Sequence, residues 1–175
     1  SLASNQAGPS RPWTGSLRDH VLGVNLINGK GEYLRFGGKV MKNVAGYDVS
    51  RLQAGAMGTL GLMTEISFKV LPRANATMTV RQASPQAEAI NTMNQLAGQP
   101  TPLSAASWVD GYVYLQFSGA TIAVDKILET FTREHNNTEI LSREKASVFW
   151  VTLRDRQLDF FNPLSSIMLD EVLII

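Results

Sequence analysis

The spacing of apolar and polar positions changes several times along the chain, and each change marks an element. Residues 20–27 form a β-branched and apolar run, Asn28-Gly29 follows, and residues 31–36 alternate in character. Asn-Gly tolerates the positive φ of tight hairpin turns, so a hairpin is predicted there, ended by Gly37-Gly38. A short helix fits within residues 47–53. Residues 61–70 read as a long strand stopped by Pro72, with Leu62, Thr64, Ile66 and Phe68 on one side. Residues 1–16, rich in Ser, Asn, Gly and Pro, read as loop.

The second half has a plainer rhythm. Residues 77–82 alternate as a strand. Ser84 then offers an N-cap and Pro85 a first helical position, with Ala87, Ile90, Met93 and Ala97 at helical spacing up to Gly98. Strands at 103–109 and 112–117 flank Asp110-Gly111, a second hairpin signal. Val124, Ile127, Leu128 and Phe131 stand at i, i+3, i+4 and i+7, which predicts an amphipathic helix over 121–134. Residues 138–141 give a short strand, and Ser142 with Lys145 offers a weak cap for a helix over 142–156. The order β-α-β-β-α-β is the ferredoxin-like arrangement, and the fold class is α+β. Residues 158–175 have no assignable pattern beyond a further strand whose partners are missing.

Composition bounds the function classes. The chain has 175 residues, 44% apolar, 18% charged and no cysteine. That excludes a wholly disordered chain, a disulfide framework and thiolate chemistry. No apolar run approaches the roughly 20 residues of a membrane span, and no secretory signal opens the chain, so a cytoplasmic compartment is expected. The net charge of +1 hides an asymmetry. Residues 1–73 hold nine Lys/Arg against four Asp/Glu, a net +5, with eleven of the fourteen glycines; residues 74–175 carry a net −4. Two structural units joined near residues 71–73 follow, and the basic, Gly-rich one is the candidate for an anionic ligand. Solvated charges and tight turns explain the same composition.

Few residues can carry side-chain chemistry. His20 and His135 are far apart and lack metal-ligand spacing, so no metal site is expected. His135 suits the C-terminal end of a helix. Asp19-His20 is a candidate acid/base pair, weakened because adjacent strand residues point to opposite faces. No aromatic RNA-binding signature or groove-reading helix accompanies the basic half, so nucleic acid is not an expected partner. The informative segment is Gly55-Ala56-Met57-Gly58-Thr59-Leu60-Gly61, directly ahead of a strand. A Rossmann site has the reverse order, strand before glycines. Glycines placed this way let backbone press against a flat or extended ligand, with Thr59 and Thr64 adding hydroxyls; a bulged hairpin would look the same.

Three strings carry a resemblance: residues 15–24 (GSLRDHVLGV), 41–48 (MKNVAGYD) and 55–61 (GAMGTLG). They resemble the FAD-linked oxidases, the vanillyl-alcohol oxidase and p-cresol methylhydroxylase type of flavin domain. Within that family the chain is most similar to the FAD-binding (E-type) subunits of bacterial glycolate oxidases. The resemblance implies that residues 1–73 are the C-terminal part of the flavin-binding domain, 74–161 a ferredoxin-like cap or substrate domain, and 162–175 an unassigned tail. The family's Gly-rich pyrophosphate loop would precede Ser1, so this chain is expected to be a fragment, inactive alone and weak in retaining FAD.

The implied FAD-binding residues are Ala3, Asn5 and Gly8 in the opening loop, Arg18 and Asp19 ahead of the strand, and Gly58, Thr59, Leu60, Gly61, Met63 and Thr64. The implied activity is flavin-mediated oxidation of glycolate, or a related 2-hydroxy acid, to glyoxylate, with electrons passed to partner subunits. Those partners are the catalytic flavoprotein and iron–sulfur subunits, and through them the protein would sit peripherally at the inner membrane. No residue is assigned as catalytic: the D-type subunit's metal-ligating histidines have no counterpart. Arg11 and Arg18 as carboxylate forks, and Lys42 and Tyr47, are equally explained by packing or solvation. A non-catalytic assembly or effector-binding module on the ferredoxin-like unit is the alternative. A reductase of the UDP-N-acetylenolpyruvoylglucosamine type is disfavoured, because its Ser and Glu cannot be placed.

Overall fold

The computed structural model describes residues 2–38, 47–161 and 172–174. Lys42, with the rest of 41–46, and tail residues 162–171 lie outside them. Contacts divide the chain into two units: Ser1–Ala7 with Gly15–Pro72, and Gly8–Thr14 with Arg73–Ile175. The opening segment is not all loop. It holds a one-turn helix, α1 (Arg11–Thr14), started at Ser10, whose carbonyl accepts from Trp13 and Thr14.

In the first unit, a single helical turn α2 (Leu17–His20) leads into β1 (Val21–Ile27), followed by β2 (Tyr33–Gly37), the short helix α3 (Val49–Leu52) and β3 (Leu62–Phe68). The three strands form an antiparallel sheet in the order β2-β1-β3. One face buries Val21, Val24 and Leu26 with Leu2, against Leu17, Leu34, Phe36, Met63 and Ile66. The other face sets Asn25 between Arg35 and Glu65, and Gly23 between Gly37 and Ser67.

The predicted first hairpin is present, with a longer turn than Asn-Gly suggests. Residues 28–32 form the loop, and Gly31, not Gly29, takes the positive φ. The Asn28 side-chain oxygen accepts from the Lys30 and Glu32 N–H groups at 2.9 and 3.0 Å, and its amide donates to the Glu32 carboxylate at 2.7 Å. Asparagine thus closes the loop through its side chain.

The expected facing of β3 is corrected. Asn25 pairs with Glu65 but Leu26 with Met63, so Thr64 is an extra residue in a β-bulge. A bulge reverses the alternation on one side of it. Met63 and Ile66 therefore share the core face, and Leu62 stays 67% exposed.

The second unit contains β4 (Ala76–Ala83), α4 (Gln86–Ala97), β5 (Leu103–Val109), β6 (Tyr112–Gly119), α5 (Thr121–Glu134), β7 (Glu139–Ile140), α6 (Arg143–Arg154) and β8 (Val172–Ile174). The antiparallel order β7-β4-β6-β5 is that of the ferredoxin-like unit, and the mixed α+β class holds. The tail's strand has a partner after all: β8 pairs with the outer edge of β5. Asp110 and Gly111 have φ of 49° and 80°, both positive as a two-residue primed turn demands.

Val80, Met93, Trp108, Leu115, Phe117, Val124, Leu128 and Phe131 lead the core between sheet and helices. Two details of α4 differ from the pattern. Its buried face is Ala89, Met93 and Leu96, because that face hides leucine where the other would hide alanines. The Ser84 hydroxyl donates to the Pro85 carbonyl instead of capping the helix. The cap of α6 forms as expected, with the Lys145 N–H donating to Ser142 Oγ at 3.3 Å.

Candidate functional site

In the first unit, the opening loop and the glycine-rich turn meet. The Gly55 N–H donates to the Leu2 carbonyl at 3.1 Å, and the Met57 N–H to the Ala3 carbonyl at 2.8 Å. These two bonds join segments fifty residues apart. Ala3 and Asn5 are thereby held beside the turn that runs through Gly58, Thr59, Leu60 and Gly61 into Met63 and Thr64.

The turn's backbone is unusual. Asn5, Gly55, Met57 and Gly58 have φ of 46°, 84°, 53° and 79°. Asn5 and Met57 are not glycines, and each left-handed residue of that kind costs about 1 kcal/mol. Such strain gathers at ligand clamps and persists only where surrounding bonds impose it.

The glycines differ in purpose. At Gly61 (φ 147°) a Cβ would lie 2.6 Å from the Ile27 carbonyl oxygen, so its bareness serves the sheet. At Gly58 a Cβ would meet no atom within 4 Å, leaving open space above its backbone.

Polar groups around this space are incompletely used. Asn5 Oδ1 is buried without a hydrogen-bond partner. Among the described residues, the backbone N–H groups of Gly58 and Leu60 donate to no acceptor. Thr59 Oγ1 donates to the Ala56 carbonyl at 2.7 Å and keeps its lone pairs for a donor. Thr64 Oγ1 donates to the Asn25 carbonyl at 3.2 Å across the bulge. A bare glycine and spare donors in the turn, with an orphan acceptor on the loop bonded to it, fit the polar edge of a flat ligand such as a flavin.

The other predicted residues are placed differently. Asp19 closes α2: the Ser16 N–H and hydroxyl donate to its Oδ2 at 2.8 and 2.9 Å. Those two bonds hold its carboxyl below the usual range, with weaker help from the Arg51 and His20 charges. Asp19 thus has a structural task, the reciprocal half of a capping box. Arg18, beside it on α2, is exposed. Gly8 lies in the other unit, where a Cβ would meet Arg154 Cγ at 3.2 Å. Arg11 lies in that unit too, and Tyr47 is 96% exposed.

Buried polar residues of and after α3 escaped the sequence reading. Ser50 and Gln53 are 3% and 2% exposed, and the Gln53 carbonyl accepts from Ala56. Their signal was the Asp48 cap, whose carboxylate accepts from the Arg51 N–H at 2.9 Å and starts α3. Among the described residues no three His, Asp or Glu side chains could together hold a metal. None of the described helices is long and apolar enough to cross a membrane.

No protein-family model matches the chain. Individual proteins do. The glycolate oxidase subunit GlcE of Escherichia coli is 44% identical over 161 residues, which are 92% of this chain and 43% of that protein. An FAD-linked oxidoreductase of Mycobacterium tuberculosis is 35% identical over 79 residues, 45% of this chain and 17% of its own length. In structure the chain is similar to alkyldihydroxyacetonephosphate synthase, with a TM-score of 0.64 at 15% identity over 89% of this chain and 36% of that one; this likeness shows the fold. The chain spans less than half the length of the relatives it matches. With 44% identity sustained over nine-tenths of its residues, the chain is a homologue of the glycolate oxidase subunit GlcE and of the FAD-linked oxidoreductases.

Proposed function

We propose that this chain supplies part of the FAD site of a glycolate oxidase, acting within a complex that oxidises glycolate or a related 2-hydroxy acid and passes the electrons to partner subunits. The 44% identity to GlcE over 92% of the chain carries this reading. The backbone bonds from Gly55 and Met57 to Leu2 and Ala3, which hold the loop of Asn5 beside the glycine turn, support it independently. Residues 1–73 are the C-terminal part of the flavin-binding domain in this reading, and 74–161 the cap.

When bound, FAD would supply an acceptor for the hydride equivalent of the alcohol. The chain's own contribution is positioning. The Asn5 side-chain oxygen would accept a ligand N–H, which satisfies an atom otherwise buried unpaired. Gly58 and Leu60 would donate backbone N–H groups, and Thr59 would accept through its hydroxyl. Met63 and Thr64 fix the turn to β1 through the bulge. Arg18 adds positive charge within residues 1–73, which carry a net +5, and this favours an anionic dinucleotide. The word subunit in the relative's name supports partner subunits. The catalytic flavoprotein and iron–sulfur identities, and a peripheral position at the inner membrane, belong to the same proposal.

The test is the visible spectrum of the gene product that contains these 175 residues, purified with excess FAD. Bound flavin absorbance is expected, together with its loss on Asn5→Leu. A protein that remains colourless at saturating FAD rejects the proposal.

A further inference from the structure

The loop between β1 and β2 carries chemistry that the flavin reading leaves unused. Of the ten asparagines in the chain, only Asn28 precedes a glycine. The backbone nitrogen that follows an asparagine can attack its side-chain carbonyl, and a glycine there leaves the approach unhindered. Gly29 is exposed, and a Cβ on it would meet nothing within 4 Å. Among the described residues its N–H donates to no acceptor. The nucleophile is free.

The electrophile is not. Asn28 Oδ1 accepts from the Lys30 and Glu32 N–H groups at 2.9 and 3.0 Å, and Nδ2 donates to Glu32 Oε2 at 2.7 Å. Two backbone bonds hold the loop closed around it, from Asn28 N–H to the Glu32 carbonyl at 3.1 Å and from Gly31 N–H to the Asn28 carbonyl at 3.0 Å. Ring closure needs Cγ to swing onto the Gly29 nitrogen and Nδ2 to leave. The three side-chain bonds hold both ends of the amide against that movement.

We infer that Asn28 is a succinimide-forming modification site latched by its own loop, which converts to aspartate and isoaspartate when the loop opens. The Gly29 nitrogen gives up its proton and bonds to Asn28 Cγ, the Cγ–Nδ2 bond breaks, and ammonia leaves with that proton. Water then opens the ring. Addition at Cγ gives aspartate; addition at the main-chain carbonyl gives isoaspartate, whose main chain runs through the side-chain methylene.

Either product carries a carboxylate, and in place of a donor to Glu32 it sets a second negative charge beside the first, which opposes reclosure. Ile27, the preceding residue, pairs with both Tyr33 and Leu62, so the end of β1 is loosened on its two sides. The inference needs no flavin and stands apart from the function proposed above.

Incubation of the gene product that contains this chain in mildly alkaline buffer, read by peptide mass spectrometry and isoaspartate quantification, tests it. Conversion of Asn28 should be at least about tenfold faster in urea-unfolded than in folded protein, because the folded chain must first open the loop. Glu32→Ala removes the partner of Nδ2 and should raise the folded rate about tenfold. Should that variant not fold, the ratio of unfolded to folded rates in the parent is the deciding measurement. Converted protein should show faster amide exchange at Ile27 and Tyr33. Equal rates in folded and unfolded parent overturn the inference. So does a folded Glu32→Ala that converts no faster than the parent, or an unfolded chain in which Asn28 converts no faster than the other asparagines.

Discussion

The two glycines of the turn before β3 should fail in different ways when each is replaced by alanine. At Gly58 the backbone is left-handed (φ 79°) and the methyl enters empty space. The left-handed penalty is about 1–2 kcal/mol, and reduced freedom of the unfolded chain offsets about 0.5–1 of it, so Gly58→Ala should cost about 1 kcal/mol and no more than about 1.5. At Gly61 the φ of 147° lies where only glycine is comfortable, a strain of about 1–3 kcal/mol. The new methyl would also stand 2.6 Å from the Ile27 carbonyl, so the Ile27–Leu62 end of the ladder must part. A total near 3 kcal/mol follows, in line with overpacking costs.

Amide hydrogen exchange of peptides from β1 and β3 reads this locally. Tryptophan fluorescence would not, because Trp13, Trp108 and Trp150 all belong to the other unit. A 2 kcal/mol difference corresponds to roughly thirtyfold faster exchange in Gly61→Ala than in Gly58→Ala. FAD affinity should rank differently: Gly58→Ala places a methyl on the open side of the turn and should lose about tenfold or more in affinity at nearly unchanged stability. Equal exchange in the two variants, or a larger effect at Gly58, would refute the distinction between an open and a packed glycine.

Asp19→Asn should remove an acid-side dependence. The folded pKa of Asp19 is depressed, so its contribution is complete above the unfolded carboxylate range and fades as pH falls through the lower folded value. The protection of the α2 amides, taken relative to the intrinsic exchange rate at each pH, should therefore fall towards the acid limit in the parent and fall less in the variant. Trp150→Phe strands the hydroxyl of Thr79, a residue only 1% exposed that now accepts from Trp150 Nε1 at 3.0 Å. A loss of about 1–3 kcal/mol in urea unfolding is expected, largely recovered in Trp150→Phe with Thr79→Val, where neither partner remains. Asn28→Ala removes three side-chain bonds from the 28–32 loop and should cost about 1–2 kcal/mol, seen as faster exchange at Ile27 and Tyr33.

The local signals in the sequence were reliable where one residue type answers to one geometry. Asp110-Gly111 gave its turn because both positions need positive φ. Val124, Leu128 and Phe131 gave their helix face because spacing alone decides which side is apolar. The facing of β3 was not legible, since a bulge adds one residue without any compositional mark, and Thr64 looks like any strand threonine. The buried side of α4 depended on which of two overlapping stripes met the sheet, a tertiary choice in which Leu96 outweighed Ala87 and Ala97. The glycine turn was visible as a motif. Its closure by Leu2 and Ala3 was not, because backbone bonds between residues fifty positions apart leave no trace in spacing. The bonds from Ser16 to the Asp19 carboxylate were likewise not read from the sequence, where Asp19 was marked by the resemblance.

The central claim is that the loop holding Ala3 and Asn5 and the turn from Gly58 to Gly61 form one flavin-binding surface. Hydrogen exchange of the gene product that contains this chain, compared with and without saturating FAD, tests it directly. The account predicts slowed exchange at residues 3–5 and 58–61, and no change in the strands at 103–109 and 112–119. Protection confined to those strands, or absent from both segments of the turn while flavin is bound, would contradict it.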